Sequence, residues 1–254
     1  MAEPLLRVEG VSKRFGGLLA LDRASLSAQA GEITALIGPN GAGKTTLFSI
    51  IAGSLAPSQG RIVYDGSRID GEPPHRLARR GIARTFQIVQ PFTGLTVREN
   101  IAVGTHLSRP GRADALAAAG AVAREVGLDA LLERPAATLT VAGRKRLELA
   151  RALAIAPRLL LLDEVLAGLN PSEIRDMVPV IRGIRDRGVT IVMVEHVMQA
   201  VLSLAAHVFV LSEGRVIAEG APDALAQDAQ VVEAYLGRGA ASRMTGHAQG
   251  SANA

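Results

Sequence analysis

The chain has 254 residues, a length that suits one large domain or a domain with an inserted subdomain. It contains no cysteine, which excludes disulfide frameworks, thiolate zinc sites, iron–sulfur clusters and cysteine nucleophiles. The 28 basic and 24 acidic residues leave a formal charge of only +4, and aromatic residues make up 3% of the chain. This modest charge and the shortage of stacking rings argue against a nucleic-acid-binding protein.

The sequence shows no membrane-spanning or secretory segment. The longest nearly uncharged apolar stretch, residues 197–211, includes Gln199, Ser203 and His207. It is shorter than the roughly 20 apolar residues that a spanning helix needs. The start, MAEPLLRVEG, lacks the basic and apolar regions of a signal peptide. We therefore expect a cytosolic chain that cannot cross a bilayer by itself.

The first part of the chain alternates short strands with turn residues. Three strands are predicted first, at residues 5–9, 24–27 and 33–37. After Gly43 the apolar spacing becomes helical, and it stops at Gly53, a residue type that commonly ends helices. Residues 61–64 form a further predicted strand before an Asp-Gly turn. A strand, a glycine-rich loop and a helix in succession indicate an α/β core.

The second part predicts a helical insertion and two buried strands. Residues 97–133 are rich in alanine and predict mostly helix, and we place a helical subdomain at about 97–150. The apolar runs at 159–162 and 189–194 predict buried parallel strands, each followed by polar residues where active sites commonly form. Residues 238–254 lack apolar periodicity, so we expect them to be disordered.

A glycine-rich motif, GPNGAGKT at residues 38–45, follows a predicted strand and begins a predicted helix. Its backbone N–H groups and the helix N-terminus are suited to phosphate oxygens. We expect Lys44 to bridge the β- and γ-phosphates of a nucleotide and Thr45 to bind Mg²⁺. The alternative is a glycine-rich turn that merely caps a helix. The predicted nucleotide-binding residues here are Gly38, Pro39, Asn40, Gly41, Ala42, Gly43, Lys44, Thr45 and Thr46.

Two carboxylates, Asp163 and Glu164, follow the apolar run at 159–162. We expect Asp163 to hold Mg²⁺ and Glu164 to act as general base on an attacking water, a role that contributes about 10²–10⁴-fold to a rate. Taken alone, such a pair is also common as a helix N-cap.

Two further polar residues are candidates for the same site. His196 follows the predicted strand at 189–194 and could hydrogen-bond the γ-phosphate and the water, or serve a structural role. Gln87, in the sequence RTFQ, could bind Mg²⁺ and the water through its amide oxygen, or lie on an ordinary loop.

Taken together, these motifs resemble the ATP-binding subunits of ABC transporters over about residues 5–236. The resemblance is carried by Phe15, GPNGAGKTT at 38–46, Gln87, Leu139-Thr140 leading into RLELARAL, LLLLDE at 159–164, AGLN at 167–170 and His196. Four segments resemble the ATPases of branched-chain amino acid importers more specifically: FGGLLAL at 15–21, RTFQ at 84–87, GLNP at 168–171 and VVEAYLG at 231–237.

The resemblance implies a fold and a set of partners. The fold is a RecA-like P-loop NTPase core of the α/β class, with an antiparallel β-subdomain and a helical signature subdomain, in one ATPase domain at 5–237. The partners are a second ATPase subunit in a heterodimer, transmembrane permease subunits and, indirectly, an extracytoplasmic solute-binding protein, with no nucleic acid. The expected location is the cytoplasmic face of the membrane.

The resemblance also implies a function and a mechanism. Two such subunits enclose two ATP molecules, and their closure and reopening drive uptake of branched-chain amino acids or related small polar solutes. Phe15 is implied to stack on adenine, with core packing as its alternative, and Gln87 to link the γ-phosphate to the membrane-facing helices. The rival functions are a soluble ABC-type ATPase acting on nucleic acid or ribosomes and an ATP sensor without turnover.

The family's Leu-Ser-Gly-Gly-Gln signature falls on residues 139–143, where only the leucine is retained. Thr140 keeps a hydroxyl, Ala142 adds a methyl group at a glycine position, and Gly143 lacks the glutamine amide. Backbone N–H groups of this segment remain available to the partner's ATP. We therefore hypothesise an asymmetric heterodimer in which the site containing Lys44 and Glu164 is the stronger one. The alternative is that Gly143 takes over the close approach to phosphate.

Overall fold

The computed structural model describes residues 3–86, 90–109, 111–225 and 228. The predictions for Gln87, for the 231–237 motif and for the 238–254 tail lie outside these residues. In the described part the strands are β1 Leu6–Phe15, β2 Leu18–Ala28, β3 Ile33–Ile37, β4 Gln59–Tyr64, β5 Ser67–Arg68, β6 Ile82–Arg84, β7 Leu159–Asp163, β8 Thr190–Val194, β9 His207–Ser212 and β10 Arg215–Gly220. The helices are α1 Lys44–Ile51, α2 Pro74–Arg79, α3 Val97–Thr105, α4 Arg112–Glu125, α5 Val141–Leu153, α6 Pro171–Asp186, α7 Met198–Leu204 and α8 Pro222–Leu225.

These strands form two sheets. The first is antiparallel, with the order β2-β1-β4-β5. The second has the order β10-β9-β3-β8-β7-β6 and is parallel except for β10, which pairs antiparallel with β9. Every residue of β3, β7 and β8 is buried, which is the pattern expected of parallel strands covered on both faces. The α/β core and the antiparallel sheet are therefore present as predicted.

Two apolar clusters hold these layers together. One lies between the first sheet, the α1 helix and one face of the second sheet, with Phe48 and Tyr64 among its largest side chains. The other lies on the opposite face of the second sheet, under helices α3 to α7. Strands β3, β7 and β8 contribute apolar side chains to both clusters, so burial fixes their position on both faces of the sheet.

The N-terminal strands are longer than the sequence predicts. The sequence predicts strands at 5–9 and 24–27, whereas β1 continues to Phe15 and β2 begins already at Leu18. Register shifts in the β1–β2 ladder let pairing continue through a segment that does not alternate regularly between apolar and polar residues. The consequence is a hairpin that extends past the part of β1 that pairs with β4, with Phe15 and Leu18 as its last pair.

The other predicted elements are observed close to their expected places. The predicted helix after Gly43 is α1, and Gly53 has a φ of 74° just beyond its end. The alanine-rich insertion contains α3 and α4, and both of these helices pack against α5. Among the helices of the described residues, none combines the length and apolar character that crossing a membrane requires.

Register determines where the functional side chains meet. In the parallel ladders Asp163 lies opposite Val194, and Val194 lies opposite Leu36. The C-terminal ends of β3, β7 and β8 are therefore level at one edge of the sheet. The chain leaves these three ends through the glycine-rich loop, through Glu164 and through Glu195-His196.

We predict that the glycine at the end of β3 cannot be replaced without loss of stability. Gly38 has a φ of 150°, and a Cβ atom there would lie 2.0 Å from the carbonyl oxygen of Leu211. Gly41 also has a positive φ, but nothing lies within 4 Å of its Cβ position. Gly41→Ala should therefore lower the free energy of unfolding by about 1–3 kcal/mol through backbone strain alone. Gly38→Ala should carry the same strain and, because of the steric conflict with Leu211, should lower the free energy of unfolding by about 1–3 kcal/mol more than Gly41→Ala does.

Urea unfolding of the two variants measures this difference. Equal losses would show that β9 can move away from β3 without cost, in contradiction to the close approach of the two strands at Gly38.

Candidate functional site

An open cleft of about 920 Å³ lies at the edge of the second sheet where β3, β7 and β8 end. Five segments of the chain line it: the tip of the β1–β2 hairpin, the glycine-rich loop with the start of α1, and the residues that follow each of β7, β8 and β9. The lining residues are Phe15, Leu18, Leu19, Ala20, Asn40, Gly41, Ala42, Gly43, Lys44, Thr45, Thr46, Glu164, His196, Glu213 and Gly214. The cleft thus collects most of the residues that the sequence assigns to nucleotide binding.

The glycine-rich loop is tightly wound against the hairpin. Gly38, Gly41 and Gly43 all have positive φ angles, and a Cβ atom on Gly43 would lie 2.6 Å from the carbonyl oxygen of Ala20. The Ala42 N–H donates to the Pro39 carbonyl at 3.2 Å, which closes the loop. Glycine is required where the backbone takes these angles and approaches its neighbours this closely. The last of these glycines, Gly43, is the N-cap of α1, so the loop ends where the helix begins.

Lys44, the first residue of α1, is buried beneath this loop. Its Nζ donates to the carbonyl oxygens of Gly38 at 2.7 Å and Pro39 at 2.9 Å. Burial lowers the pKa of the Lys44 ammonium from its ordinary value, and the carboxylates of Glu164 and Asp163 oppose that change. These contacts hold the amine at the floor of the cleft, where a positive charge suits an anionic ligand.

Glu164 and His196 come from neighbouring strand ends and meet in the cleft. Glu164 Oε1 lies 2.9 Å from His196 Nε2. The Glu164 N–H donates to the Val194 carbonyl at 2.9 Å, which fixes the backbone of the glutamate against β8. A carboxylate beside an imidazole is an arrangement used for moving protons, and the two side chains remain partly accessible from the cleft.

Asp163 is buried at the end of β7 beside an arginine that the sequence analysis did not assign to the site. Its Oδ2 accepts from Arg84 Nη2 at 2.7 Å, and Arg84 Nη1 also donates to the hydroxyl of Ser49 at 3.1 Å. The other carboxylate oxygen, Oδ1, is buried and has no hydrogen-bond partner among the described residues. A buried oxygen without a partner is costly in a folded protein, and it is the ligand type that Mg²⁺ prefers.

The neighbouring strands explain the position of Arg84. Arg84 ends β6, and β6 pairs with β7 so that Arg84 lies opposite Leu161. The signal in the sequence is a basic residue at the end of one predicted strand and an acidic residue at the end of another. It identifies the pair only when the two strands are known to be neighbours, and a single sequence does not show the strand order.

Phe15 lies at the tip of the β1–β2 hairpin and is 45% exposed. Its ring borders the cleft, and Lys13 Nζ lies 5.1 Å from the ring centroid. Core packing, the alternative interpretation of Phe15, is therefore not what the structure shows. An exposed ring at the mouth of the cleft is available for stacking on a flat ligand.

The degenerate signature segment lies away from the cleft lining. Thr140 caps α5, and its hydroxyl oxygen accepts from the Gly143 N–H at 3.1 Å. Val141 is 57% exposed, and Ala142 is partly exposed. The structure therefore does not bring Thr140, Ala142 and Gly143 together with Lys44 and Glu164 in one cleft of this chain.

Glu195 is a buried carboxyl beside the site. Its Oε1 accepts from the Leu166 N–H at 2.9 Å, and only 1% of the residue is exposed. Burial raises the pKa of the Glu195 carboxyl to about 7, and the Glu164 charge acts in the same direction. The backbone N–H groups of Leu166 and His196 and the charge of Lys145 lower that pKa but do not offset burial.

We predict that Glu195 makes stability depend on pH. The carboxyl holds its proton in the folded state up to about pH 7, whereas its ordinary pKa is 4.5. Unfolding between these values releases a proton, so stability falls as the pH rises toward 7. Between about pH 6 and about pH 8 the wild type should lose about 1 kcal/mol more stability than Glu195→Gln, which carries no titrating proton. Urea unfolding of both proteins at the two pH values measures the difference. Parallel curves would contradict the prediction.

Known proteins are similar to this chain in sequence. A family model described as ABC transporter matches residues 21–167, and one described as branched-chain amino acid ATP-binding cassette transporter matches residues 215–241. The high-affinity branched-chain amino acid transport ATP-binding protein BraF of Pseudomonas aeruginosa is 38% identical, with 93% of this chain and 99% of BraF covered. LivG of Escherichia coli, whose description is the same, is 36% identical over the same shares.

Solved structures support the same grouping. A nucleotide-free ATP-binding cassette from an ABC transporter superposes with a TM-score of 0.85 at 31% identity, covering 93% of this chain and 100% of that one. The ADP conformation of such a cassette gives the same values. These neighbours confirm the predicted fold class.

Proposed function

This chain belongs to the ATPases of ABC transporters, and from that premise we propose that it energises uptake of branched-chain amino acids or related small polar solutes. BraF and LivG are both described as branched-chain amino acid transport ATP-binding proteins, and each aligns with 93% of the chain. The match at 215–241 to a branched-chain amino acid transporter family supports the same solute class independently of the nucleotide-binding motifs.

The observation that supports ATP hydrolysis most directly is the convergence of three strand ends on one cleft. The loop of Gly38 to Gly43 and the buried ammonium of Lys44 form a cradle for a triphosphate. Glu164 serves as the general base for the attacking water, and His196, 2.9 Å away, orients the carboxylate. Phe15 supplies a stacking surface for adenine at the mouth of the cleft.

The buried environment of Asp163 fits Mg²⁺. Its Oδ1 atom would be one ligand, and Thr45 and Gln87 are the other ligands that we propose. When bound there, the ion would neutralise charge that develops on the transferred phosphoryl group. Arg84 holds the second oxygen of Asp163 and thereby fixes which oxygen is left for the cation.

BraF and LivG are both described as transport ATP-binding proteins, and this chain aligns with 99% of the length of each. The comparisons therefore do not favour the rival function on nucleic acid or ribosomes. A sensor without turnover does not need a base held against a histidine, so the Glu164–His196 contact supports hydrolysis.

We extend the proposal to the partners of the chain. A second ATPase subunit forms a heterodimer with it, permease subunits anchor the pair at the cytoplasmic face of the membrane, and an extracytoplasmic protein delivers the solute. The segment at Thr140, Ala142 and Gly143 faces the ATP held by the other subunit. Because Val141 is exposed beside it and Ala142 adds a methyl group, we propose that this chain's signature supports the weaker of the two sites.

Two substitutions separate phosphate binding from hydrolysis. Glu164→Gln should lower kcat by at least about 10²-fold, the contribution of a general base, while ATP affinity is retained. Lys44→Ala should instead abolish tight ATP binding, because the loop loses the cation at its floor. Titration with a fluorescent ATP analogue and a phosphate-release assay measure the two effects. Glu219→Gln, an exposed charge loss on β10, is the matched control. Unchanged affinity in Lys44→Ala would contradict the phosphate cradle.

Asymmetry is tested in the assembled pair. Glu164→Gln in this chain disables the site that uses the partner's signature, and the corresponding change in the partner disables the site that uses residues 139–143. The first change should cause the larger loss of ATPase activity. Equal losses from the two changes would show that the departures at Ala142 and Gly143 have no functional effect.

A further inference from the structure

The backbone that carries Glu164 adopts an uncommon conformation and is held by several contacts. Glu164 has a φ of 50°, in the left-handed region that a glutamate rarely occupies. Its carbonyl oxygen accepts from Lys145 Nζ, on α5, at 3.0 Å. Two residues further on, the Leu166 N–H donates to Glu195 Oε1 at 2.9 Å. Strained backbone of this kind persists only where its surroundings hold it in place.

Glu195 is placed to hold both halves of the catalytic pair. It directly precedes His196 in the chain, and its side-chain Oε1 accepts from the Leu166 N–H at 2.9 Å. One buried carboxyl group, hydrogen-bonded to the turn that carries Glu164 and adjacent in the chain to His196, therefore connects the two segments. The side chains of these two residues are the ones that meet at 2.9 Å in the cleft.

We propose that Glu195 is a positioning residue that holds the 164–166 turn against His196 and so keeps the Glu164 carboxylate aligned for proton transfer. The inference rests on the proposed role of Glu164 as the base. Lys145 supports the same turn from α5 and contributes the positive charge that faces Glu195.

The burial of Glu195 supports a role in positioning the 164–166 turn. Glu195 is almost fully buried, and so is Lys145, which is 8% exposed. Placing a carboxyl and an ammonium in the interior costs free energy that a leucine or methionine of similar size would not. What an apolar side chain could not provide is an acceptor for the N–H of Leu166.

Three substitutions of Glu195 distinguish positioning from packing. Glu195→Leu keeps most of the volume and removes the acceptor, Glu195→Gln keeps an acceptor oxygen at the same reach, and Glu195→Asp withdraws it by one methylene. Thr105→Val is the matched control, because Thr105 is also buried and donates to backbone carbonyls, but it lies on α3 away from the cleft.

The readout is kcat against the dissociation constant for ATP, measured on the full chain paired with its partner ATPase. Glu195→Leu should lower kcat about tenfold or more, the equivalent of leaving one buried N–H unpaired, with the ATP dissociation constant unchanged. Glu195→Gln should restore most of kcat, and Thr105→Val should leave kcat unchanged. Glu195→Leu with wild-type kcat, or Glu195→Gln as impaired as Glu195→Leu, would overturn the proposal.

A folding defect does not remove the test. If Glu195→Leu cannot be prepared in folded form, Glu195→Gln should retain a higher kcat than Glu195→Asp, and the reverse order would overturn the proposal. The underlying function has its own readout in Glu164→Gln. If Glu164→Gln lowers kcat as predicted and Glu195→Leu keeps the wild-type kcat, only the positioning role fails. If Glu164→Gln hydrolyses ATP normally, the base assignment itself fails.

Discussion

Parallel pairing of β3, β8 and β7 is the constraint on which the cleft depends. The ladders place Leu36, Val194 and Asp163 at the same level, so the chain turns away from three adjacent strands at one edge. Apolar burial on both faces resists a slip in register, since each strand residue would lose its packing partners. Residues separated by more than a hundred positions in the sequence therefore reach the same cleft, and the chemistry of the site follows from the core.

The same edge concentrates charge in a poorly solvated environment. The ammonium of Lys44 is held by loop carbonyls, Asp163 pairs with Arg84, and Glu195 is buried next to the turn at residues 164–166. Each of these groups would be costly alone, and each has a partner of opposite polarity. Polar groups fixed in this way need little rearrangement when substrate arrives, which is the general basis of electrostatic preorganisation.

The sequence was most informative where function depends on local pattern. Gly38, Gly43 and Lys44 could be placed because loop, helix start and residue type all lie within one short segment. Asp163 and Glu164 could be placed because an apolar run predicts a strand end. The fold class and the family could also be recognised, since several such motifs occur in a fixed order along the chain.

Contacts between distant strands could not be predicted in the same way. The Arg84–Asp163 pair depends on β6 lying beside β7, and the Leu166–Glu195 hydrogen bond depends on β7 lying beside β8. The apolar pattern predicts a shorter β1–β2 hairpin than the structure shows. The ladder continues through irregular pairing, and the residues there do not alternate between apolar and polar. These contacts depend on which strands pair in the folded protein, and local sequence propensity does not determine that pairing.

Crystals of the chain grown with Mg²⁺ and a non-hydrolysable ATP analogue test the central claim most directly. The account predicts phosphate density against the backbone of residues 38–45 and Lys44, the metal at Asp163 Oδ1, and the adenine against Phe15. Density for the nucleotide elsewhere on the molecule, or a metal held without Asp163, would contradict it.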